Sequence, residues 1–269
     1  MLDIDLKNIK GPYLIHCDVS KTSSLIKPIV KNSSVKIDVL NEHMKILSNC
    51  FGIENLIFPS FNYDFPHSRK FDVLETISQV GRITNYVLNN RILDRTKTPI
   101  FSFLTKIKSL ISQYHEYPFL NGSVFDYIFK NDGTIIFYGT QINSCTFIHF
   151  IESQFGPPVY RYDKSFYGEI IEGGNVKNAA VRFHVRPLGM ALEYDWDLLF
   201  RRLMEEEVII YGKNCNSVFA IKARDLFSIW GDIMKTKPLA LLNESSRIKV
   251  DEKLQTLGRR FELLDFERQ

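Results

Sequence analysis

Short apolar runs alternate with segments whose apolar positions recur every three or four residues, the pattern of buried strands interleaved with amphipathic helices. Pro12–Cys17 reads as a strand followed by the polar turn Asp18–Ser24. Val35–Gly52 carries Val39, Leu40, His43, Met44 and Leu47 at helical spacing and stops at a glycine. Asn55–Pro59 is a second strand, and Gly81–Asn90 a second helix through Ile83, Tyr86 and Val87. Thr134–Gly139 is a third strand, with Thr146–Phe155 as the helix after it.

Beyond residue 160 the pattern changes. Tyr167–Ile171, the turn Glu172-Gly-Gly-Asn175 and Ala179–Val185 predict a β-hairpin. Asp197–Glu207 and Ala223–Lys235 predict helices, with short strands at Val208–Tyr211 and Ser217–Ile221 between them. The expectation is an α/β fold: a mixed β-sheet with flanking helices, plus a β-hairpin in the C-terminal half. No linker or repeat divides the chain, so residues 1–269 are expected to form a single domain, with 243–269 a charged segment on its surface.

Composition narrows the function classes. The chain is 45% hydrophobic and 24% charged with a net charge of +3, so it is not a disordered polymer and carries no broad basic field for nucleic acid or an anionic membrane. The N-terminus, Met1-Leu-Asp-Ile-Asp-Leu6, lacks the basic and apolar regions of a signal peptide, and no window spans a bilayer. A soluble, cytoplasmic protein is expected. Cys17, Cys50, Cys145 and Cys215 are scattered without a C-x-x-C pair, and the His16-Cys17 pair would point to opposite faces of a strand; no metal is expected. The 21 Phe outnumber the 12 Tyr, and Phe58, Phe137 and Phe147 fall at core positions, which leaves the tyrosines as the aromatic candidates for a site.

The stretch that carries chemistry is Gly139-Thr-Gln-Ile-Asn-Ser-Cys-Thr146-Phe-Ile-His149-Phe-Ile-Glu152. It leaves a strand and opens a helix, so Thr146, His149 and Glu152 share one face at i, i+3 and i+6. The loop Gln141–Ser144 offers caps and leaves the first helical N–H groups free for a ligand. A histidine with a carboxylate one turn on is a base with an orienting group. Cys145, four residues before His149, offers a rival arrangement with an acyl-carrying thiol. Glu205-Glu206-Glu207 reads as a solvated helix face.

This segment resembles the Thr-x-x-His-x-x-Glu signature of the aminoglycoside 3-N-acetyltransferase (antibiotic N-acetyltransferase) family, which includes acyltransferases of surface-sugar pathways. Five further stretches resemble the family in order: Tyr13–Ser20, Ile57–Asp64, Arg95–Ser102, Pro118–Ser123 and Pro158–Tyr162. Together they run from about residue 10 to about residue 230. The resemblance implies transfer of an acetyl or other short acyl group from acyl-CoA to the amine of an amino sugar. In it His149 is the base, Glu152 its orienter and Thr146 a contact to the thioester end. Ser20, Arg95, Ser102 and Ser123 are the coenzyme contacts it implies. Departures are Asp18 in place of Ser, Thr98 in place of His, Leu120 in place of Gly, and a loop from Lys27 to Ser34 without the family's glycines. In that loop Lys27, Lys31, Ser33 and Ser34 are the substitutes for holding a diphosphate.

Tyr63, Asp64 and His67, following a strand end, and Tyr160, Arg161 and Tyr162, following the catalytic helix, are the candidate acceptor-binding residues. Arg161 would suit a diphosphate, and the chain is not acidic, which favours a nucleotide-linked amino sugar of surface polysaccharide as acceptor. The alternatives are an aminoglycoside 3-N-acetyltransferase conferring antibiotic resistance and an inactive sugar- or CoA-binding relative. The partners expected are small molecules only; oligomeric state is not legible.

Overall fold

The computed structural model describes residues 2–27, 29 and 38–267. Its main sheet has the order β4-β5-β2-β1-β6-β10-β9, formed by Asp94–Arg95, Phe103–Thr105, Leu56–Pro59, Tyr13–Cys17, Thr134–Tyr138, Cys215–Lys222 and Ile210–Gly212. β1 runs parallel to both β2 and β6, and the remaining pairings are antiparallel. The sheet is thus mixed, as expected. Its parallel centre is buried throughout, because helices cover both faces of it.

Alternation along each strand sorts the two cores. Leu14, Ile57, Ile135 and Phe137 face one core, and Ile15, Leu56, Phe58, Ile136 and Tyr138 the other. The second core is closed by helix α1 (Val39–Phe51), through Met44 and Leu47, and by a helix over Arg82–Asn89, through Ile83 and Val87. The first is closed by helices over Val124–Lys130, Phe147–Gln154 and Ala223–Thr236, the last contributing the fully buried Trp230. Of the helix expected over Val35–Gly52, the start lies outside the described residues; α1 opens on Asp38, whose carboxylate accepts from the N–H groups of Leu40 and Asn41.

The hairpin is present and longer than its sequence pattern suggests. β7 (Tyr162–Glu172) and β8 (Asn175–Val185) are joined by Gly173 and Gly174, both at positive φ, as a tight two-residue hairpin turn requires. With β3 (Lys70–Asp72) alongside β7 it forms a separate three-stranded sheet. The segment 243–269 is not merely a charged surface strip. Its helix over Glu244–Leu257 sends Val250 into the core, Phe261 is fully buried, and Phe266 stacks on Tyr162 at 5.5 Å. Among the described residues no helix is long and apolar enough to cross a membrane.

β1 lies between β2 and β6, so the chain leaves β1 toward one side of the sheet and returns on the other. The loops at the carboxyl ends of β1 and β6 lead to helices on opposite faces of the sheet, the place where open α/β sheets bind ligands.

Candidate active site

Tyr138 ends β6 and Gly139 turns the chain out of the sheet at φ 78°. A side chain there would collide with the carbonyl oxygen of Asp18 at the exit of β1, so glycine is required where the two loops cross. A turn over Ile142–Ser144 follows, held by Ser144 Oγ donating to the Gln141 carbonyl at 2.8 Å. The helix Phe147–Gln154 then begins. The loop does not cap it: Thr146 occupies the cap position without a side-chain bond, and the N–H groups of Phe147 and Ile148 face the Cys145 sulfur.

The helix buries Phe147, Ile148, Phe150 and Ile151, which leaves His149 on the rim with 28% of its side chain exposed. Glu152 is 2% exposed, and its Oε2 lies 3.1 Å from His149 Nδ1. A buried carboxylate needs donors and a counter-charge. Tyr160 donates its hydroxyl to Glu152 Oε1 at 2.6 Å, and Arg161 Nε stands 3.3 Å from Oε2. Arg161 Nη2 also donates to the Tyr194 hydroxyl at 2.6 Å, and that oxygen sits 3.2 Å from His149 Nδ1. Phe119 closes another side of the imidazole, with ring centres 5.3 Å apart.

Burial alone would raise the Glu152 carboxyl, but Arg161, then His149 and Tyr160, outweigh it and hold it at about 2. Glu152 is therefore an anion across the working range, which assigns the His149 proton to Nδ1 and leaves Nε2 with the lone pair. For His149, burial is the largest influence and lowers its pKa; Glu152 opposes this, and Arg161 and Arg186 add to it. The imidazole is thus neutral at neutral pH and fit to accept a proton. Cys145 is 2% exposed and burial pushes its thiol up to about 12, so the thiol arrangement lacks a thiolate.

Two cavities meet at the loop ahead of this helix, and His149 lines neither of them. One of about 1020 Å³ is lined by the loop Gly139–Ser144, Asp18, Lys21, Asp197 and the aromatic rings of Trp196, Phe200 and Tyr211. The other, of about 410 Å³, is lined by His16, Tyr63, Thr84 and Thr146. They share Thr140, Asn143 and Ser144.

The residues singled out from the sequence divide sharply. His149 and Glu152 come together, whereas Thr146, with no side-chain partner, lines the smaller cavity with Tyr63. Ser20 is exposed beside Asp18, to which its hydroxyl donates at 2.6 Å. Asp64, just ahead of the short helix Phe65–Ser68, and His67 within it are exposed and line neither cavity.

Arg95, Ser102 and Ser123 are not available to a coenzyme. Arg95 is 3% exposed, with its guanidinium committed to Ser102 Oγ and to the carbonyls of Thr76 and Ser60. Ser102 Oγ itself donates to the Ser60 carbonyl at 2.6 Å, and Ser123 caps the helix Val124–Lys130 through the Asp126 N–H. Tyr160, Arg161 and Tyr162 do not face an acceptor either. The first two hold Glu152, and Tyr162, 1% exposed, donates to Glu267 Oε1 at 2.5 Å.

Thr98 is buried and accepts from the His115 N–H, and Leu120 lines a different cavity with Phe119. Lys27 is exposed; Lys31, Ser33 and Ser34 lie outside the described residues. Glu205–Glu207 are exposed, with Arg202 paired to the first two. Sequence reasoning missed Tyr194, Trp196 and Asp197; the signal available for them was only two aromatics alternating with the three acids Glu193, Asp195 and Asp197 at the start of a helix.

A family model described as aminoglycoside 3-N-acetyltransferase matches residues 58–232. No curated protein sequence matches. Among solved structures, the fold is similar to that of aminoglycoside acetyltransferase AAC(3)-IVa as apoenzyme, at TM-score 0.62 and 15% identity, covering 88% of this chain and 88% of that one. It is similar to AAC-IIIb in a binary complex with CoASH, at TM-score 0.67 and 11% identity, covering 87% and 94%. The YokD protein from Bacillus subtilis gives 0.62 and 14%, covering 86% and 90%. At these identities the likeness establishes the fold.

Proposed function

The chain belongs to the aminoglycoside 3-N-acetyltransferase family and is an N-acyltransferase; on that premise we propose that it moves an acetyl group from acetyl-CoA to a primary amine of an aminoglycoside-type amino sugar, by direct attack with His149 as base. The observation that carries this is the His149–Glu152 pair at 3.1 Å, buried on one side by Tyr160, Arg161 and Tyr194 and open on the other. Acyl transfer to an amine forms a C–N bond and breaks a C–S bond. An amine that attacks while protonated has no lone pair, so a neutral base beside it removes the chief obstacle. His149 Nε2 takes that proton and passes it to solvent; once the C–N bond has formed it takes the second proton from the nitrogen and delivers it to the departing sulfur.

The cavities support a division of labour. The smaller one has no charged side chain on its wall, which suits the amide-bearing arm and thioester of an acyl-CoA better than a phosphate or an ammonium. The larger offers the carboxylates of Asp18 and Asp197, against the one cation of Lys21, with Trp196 and Tyr211 as flat apolar surface, a combination that suits an amino sugar. The expectation of a nucleotide-linked acceptor, drawn from Arg161 and from the chain's non-acidic charge balance, loses the first of these, because Arg161 is spent on Glu152. The comparisons lend that acceptor no support, and they fit the aminoglycoside alternative better.

The test is thiol release from acetyl-CoA with a panel of aminoglycosides and of nucleotide-linked amino sugars. Turnover confined to the aminoglycosides is expected, and it disappears in His149→Ala. Turnover confined to nucleotide sugars would refute the acceptor assignment. Coenzyme binding without thiol release for any amine would establish an inactive relative instead.

A further inference from the structure

Four groups close a ring behind the base. His149 Nδ1 lies 3.1 Å from Glu152 Oε2, and Oε2 lies 3.3 Å from Arg161 Nε. Arg161 Nη2 donates to the Tyr194 hydroxyl at 2.6 Å, and that oxygen returns to Nδ1 at 3.2 Å. Glu152 orients the imidazole and Arg161 balances Glu152. The oxygen of Tyr194, as near to Nδ1 as the carboxylate is, has no part in either task.

Tyr194 is built to stay where it is. It is 5% exposed, just ahead of the helix Trp196–Glu205, and its ring meets that of Trp196 edge-on with centres 5.1 Å apart. Its neighbours Glu193 and Asp195 bond through their backbone to Asn243 and Leu241, and Tyr194 itself bridges to Leu242. A phenol has one donor and two lone pairs. Arg161 has donors only, so it takes one lone pair. With the imidazole proton on Nδ1, the second lone pair faces that N–H, and the phenol proton is left for Glu152, a further hydrogen-bond partner of Tyr194. Burial holds the hydroxyl well above its ordinary range, so Tyr194 keeps its proton.

This placement matters once the base has acted. When Nε2 takes a proton from the amine nitrogen, the positive charge spreads over both ring nitrogens. It forms within the fields of Arg161 and of the exposed Arg186, which lies over the Tyr194 ring at 5.9 Å. The groups facing the imidazole are Glu152 from its own helix, Arg161 from the segment after it, Arg186 from beyond the hairpin, and Tyr194; Phe119 brings no charge. Tyr160, and His184 paired to Asp163, bear on Glu152. One carboxylate thus meets two arginines and the new imidazolium, and a second oxygen on Nδ1–H has a charge to stabilise.

We propose that Tyr194 is a positioning residue for the acid–base step: its oxygen, held between Arg161 and His149 Nδ1, fixes the plane of the imidazole and supports the charged ring that exists after proton transfer. The inference rests on the acyl-transfer reading above and deepens it. No bond to the Tyr194 proton breaks; the proton moves from the amine nitrogen to Nε2, and Nδ1–H only becomes a stronger donor. A hydrogen bond from a charged donor is about twice as strong as one from a neutral donor, so losing this oxygen disfavours the imidazolium. The bond lost to Glu152 acts the other way, but one atom further off.

The experiment uses Tyr194→Phe, Tyr160→Phe and a protein carrying a ring-fluorinated tyrosine at position 194. His149 is titrated by nitrogen NMR without substrates, its signal assigned by its absence from His149→Ala, and kcat and KM are read from thiol release. In Tyr194→Phe the His149 midpoint should fall by about 0.3–1 pH unit, and the acid limb of kcat/KM should move down with it. There kcat should fall by about ten- to a hundredfold, part of the 10²–10⁴ that a positioned base supplies. KM for both substrates should stay within about threefold, since Tyr194 lines neither of the cavities proposed to hold them. Tyr160→Phe removes a donor from Glu152 and leaves Nδ1 alone, so its midpoint should rise. Opposite signs separate the Tyr194 oxygen from a general loosening of the ring.

A folded Tyr194→Phe with an unmoved or raised His149 midpoint, or with its loss in KM instead of kcat, overturns the proposal. So does a Tyr160→Phe that lowers the midpoint as much. If Tyr194→Phe does not fold, the fluorinated protein decides, because it keeps every bond while its oxygen accepts less well and donates more strongly to Glu152. Its midpoint should fall, and a midpoint equal to that of wild type overturns the proposal. Wild type that releases no thiol with any amine sinks the acyl-transfer reading, whereas the titration judges the Tyr194–His149 contact by itself.

Discussion

Replacing Glu152 by glutamine perturbs the site where its interactions converge. The carboxyl is 2% exposed and held at about 2 against an ordinary 4.5. A tenfold change in proton affinity is worth about 1.4 kcal/mol, so the native partners stabilise the anion by roughly 3 kcal/mol. Glutamine forfeits this and leaves Arg161, 5% exposed, facing an uncharged group; breaking one side of a buried pair costs about 3–5 kcal/mol. At roughly 2–4 °C per kcal/mol, Glu152→Gln should lower Tm at pH 7.5 by about 6–20 °C, read by thermal scanning fluorimetry. The pH dependence carries the sign. Because the folded-state value is depressed, the stabilisation is fully present above pH 4.5 and is lost as pH falls toward 2, so the gap between variant and wild type should narrow by about 1–2 kcal/mol by pH 3.5. Catalysis should fall by about 10²–10⁴, since an amide that donates to Nδ1 moves the lone pair away from Nε2. Equal melting temperatures at pH 7.5, or a gap that stays constant down to pH 3.5, would refute the account of Glu152 as a paired anion.

His149→Ala should cost about 10²-fold or more in kcat/KM, measured by thiol release, and added imidazole should restore part of it. Since His149 is held below its ordinary 6.5, the acid limb of the wild-type kcat/KM profile should have its midpoint below pH 6.5; a midpoint above 7 contradicts the neutral-base assignment. Cys145→Ala should retain most activity, and rapid quenching of wild type should trap no acyl-enzyme, because the thiol is inert where it lies. Arg95→Met should lower Tm by several degrees through its three lost internal bonds while leaving the KM for acetyl-CoA within about threefold; a selective rise in that KM would return Arg95 to the coenzyme site.

The parts of the fold legible in the sequence are those whose signal is local. The apolar runs of β1, β2 and β6 and the paired glycines of the hairpin state their own conformation. β3, β4 and β5 do not: they are two or three residues long and include Lys70, Asp72, Asp94 and Arg95, and they exist only because a neighbouring strand supplies hydrogen bonds. The site divides in the same way. His149 and Glu152 share a helix face, which spacing reveals. Whether Arg161 turns toward solvent or toward Glu152 depends on how Pro158–Tyr160 packs, and no periodicity encodes that. Arg95 and Ser102 look like ligand-binding residues by type, yet buried carbonyls at Ser60 and Thr76 claim their donors first.

The arrangement around Glu152 also resolves a conflict within general-base catalysis. A carboxylate fixes the imidazole proton on Nδ1 and aims Nε2, but its charge also favours the imidazolium, which cannot act as a base. Here the two effects are separated. Arg161 sits against the same Oε2 that faces His149, and its charge offsets that of Glu152, while the hydrogen bond from Nδ1 remains. Tyr160 fills the other carboxylate oxygen and Tyr194 links Arg161 back to the imidazole, so neither ion can turn away without breaking a buried bond. Orientation therefore comes from Glu152, and neutrality from burial, with Arg161 adding to it. The histidine is left uncharged on the rim, its ring packed against Phe119 on one side and tied to Glu152 and Tyr194 on the other.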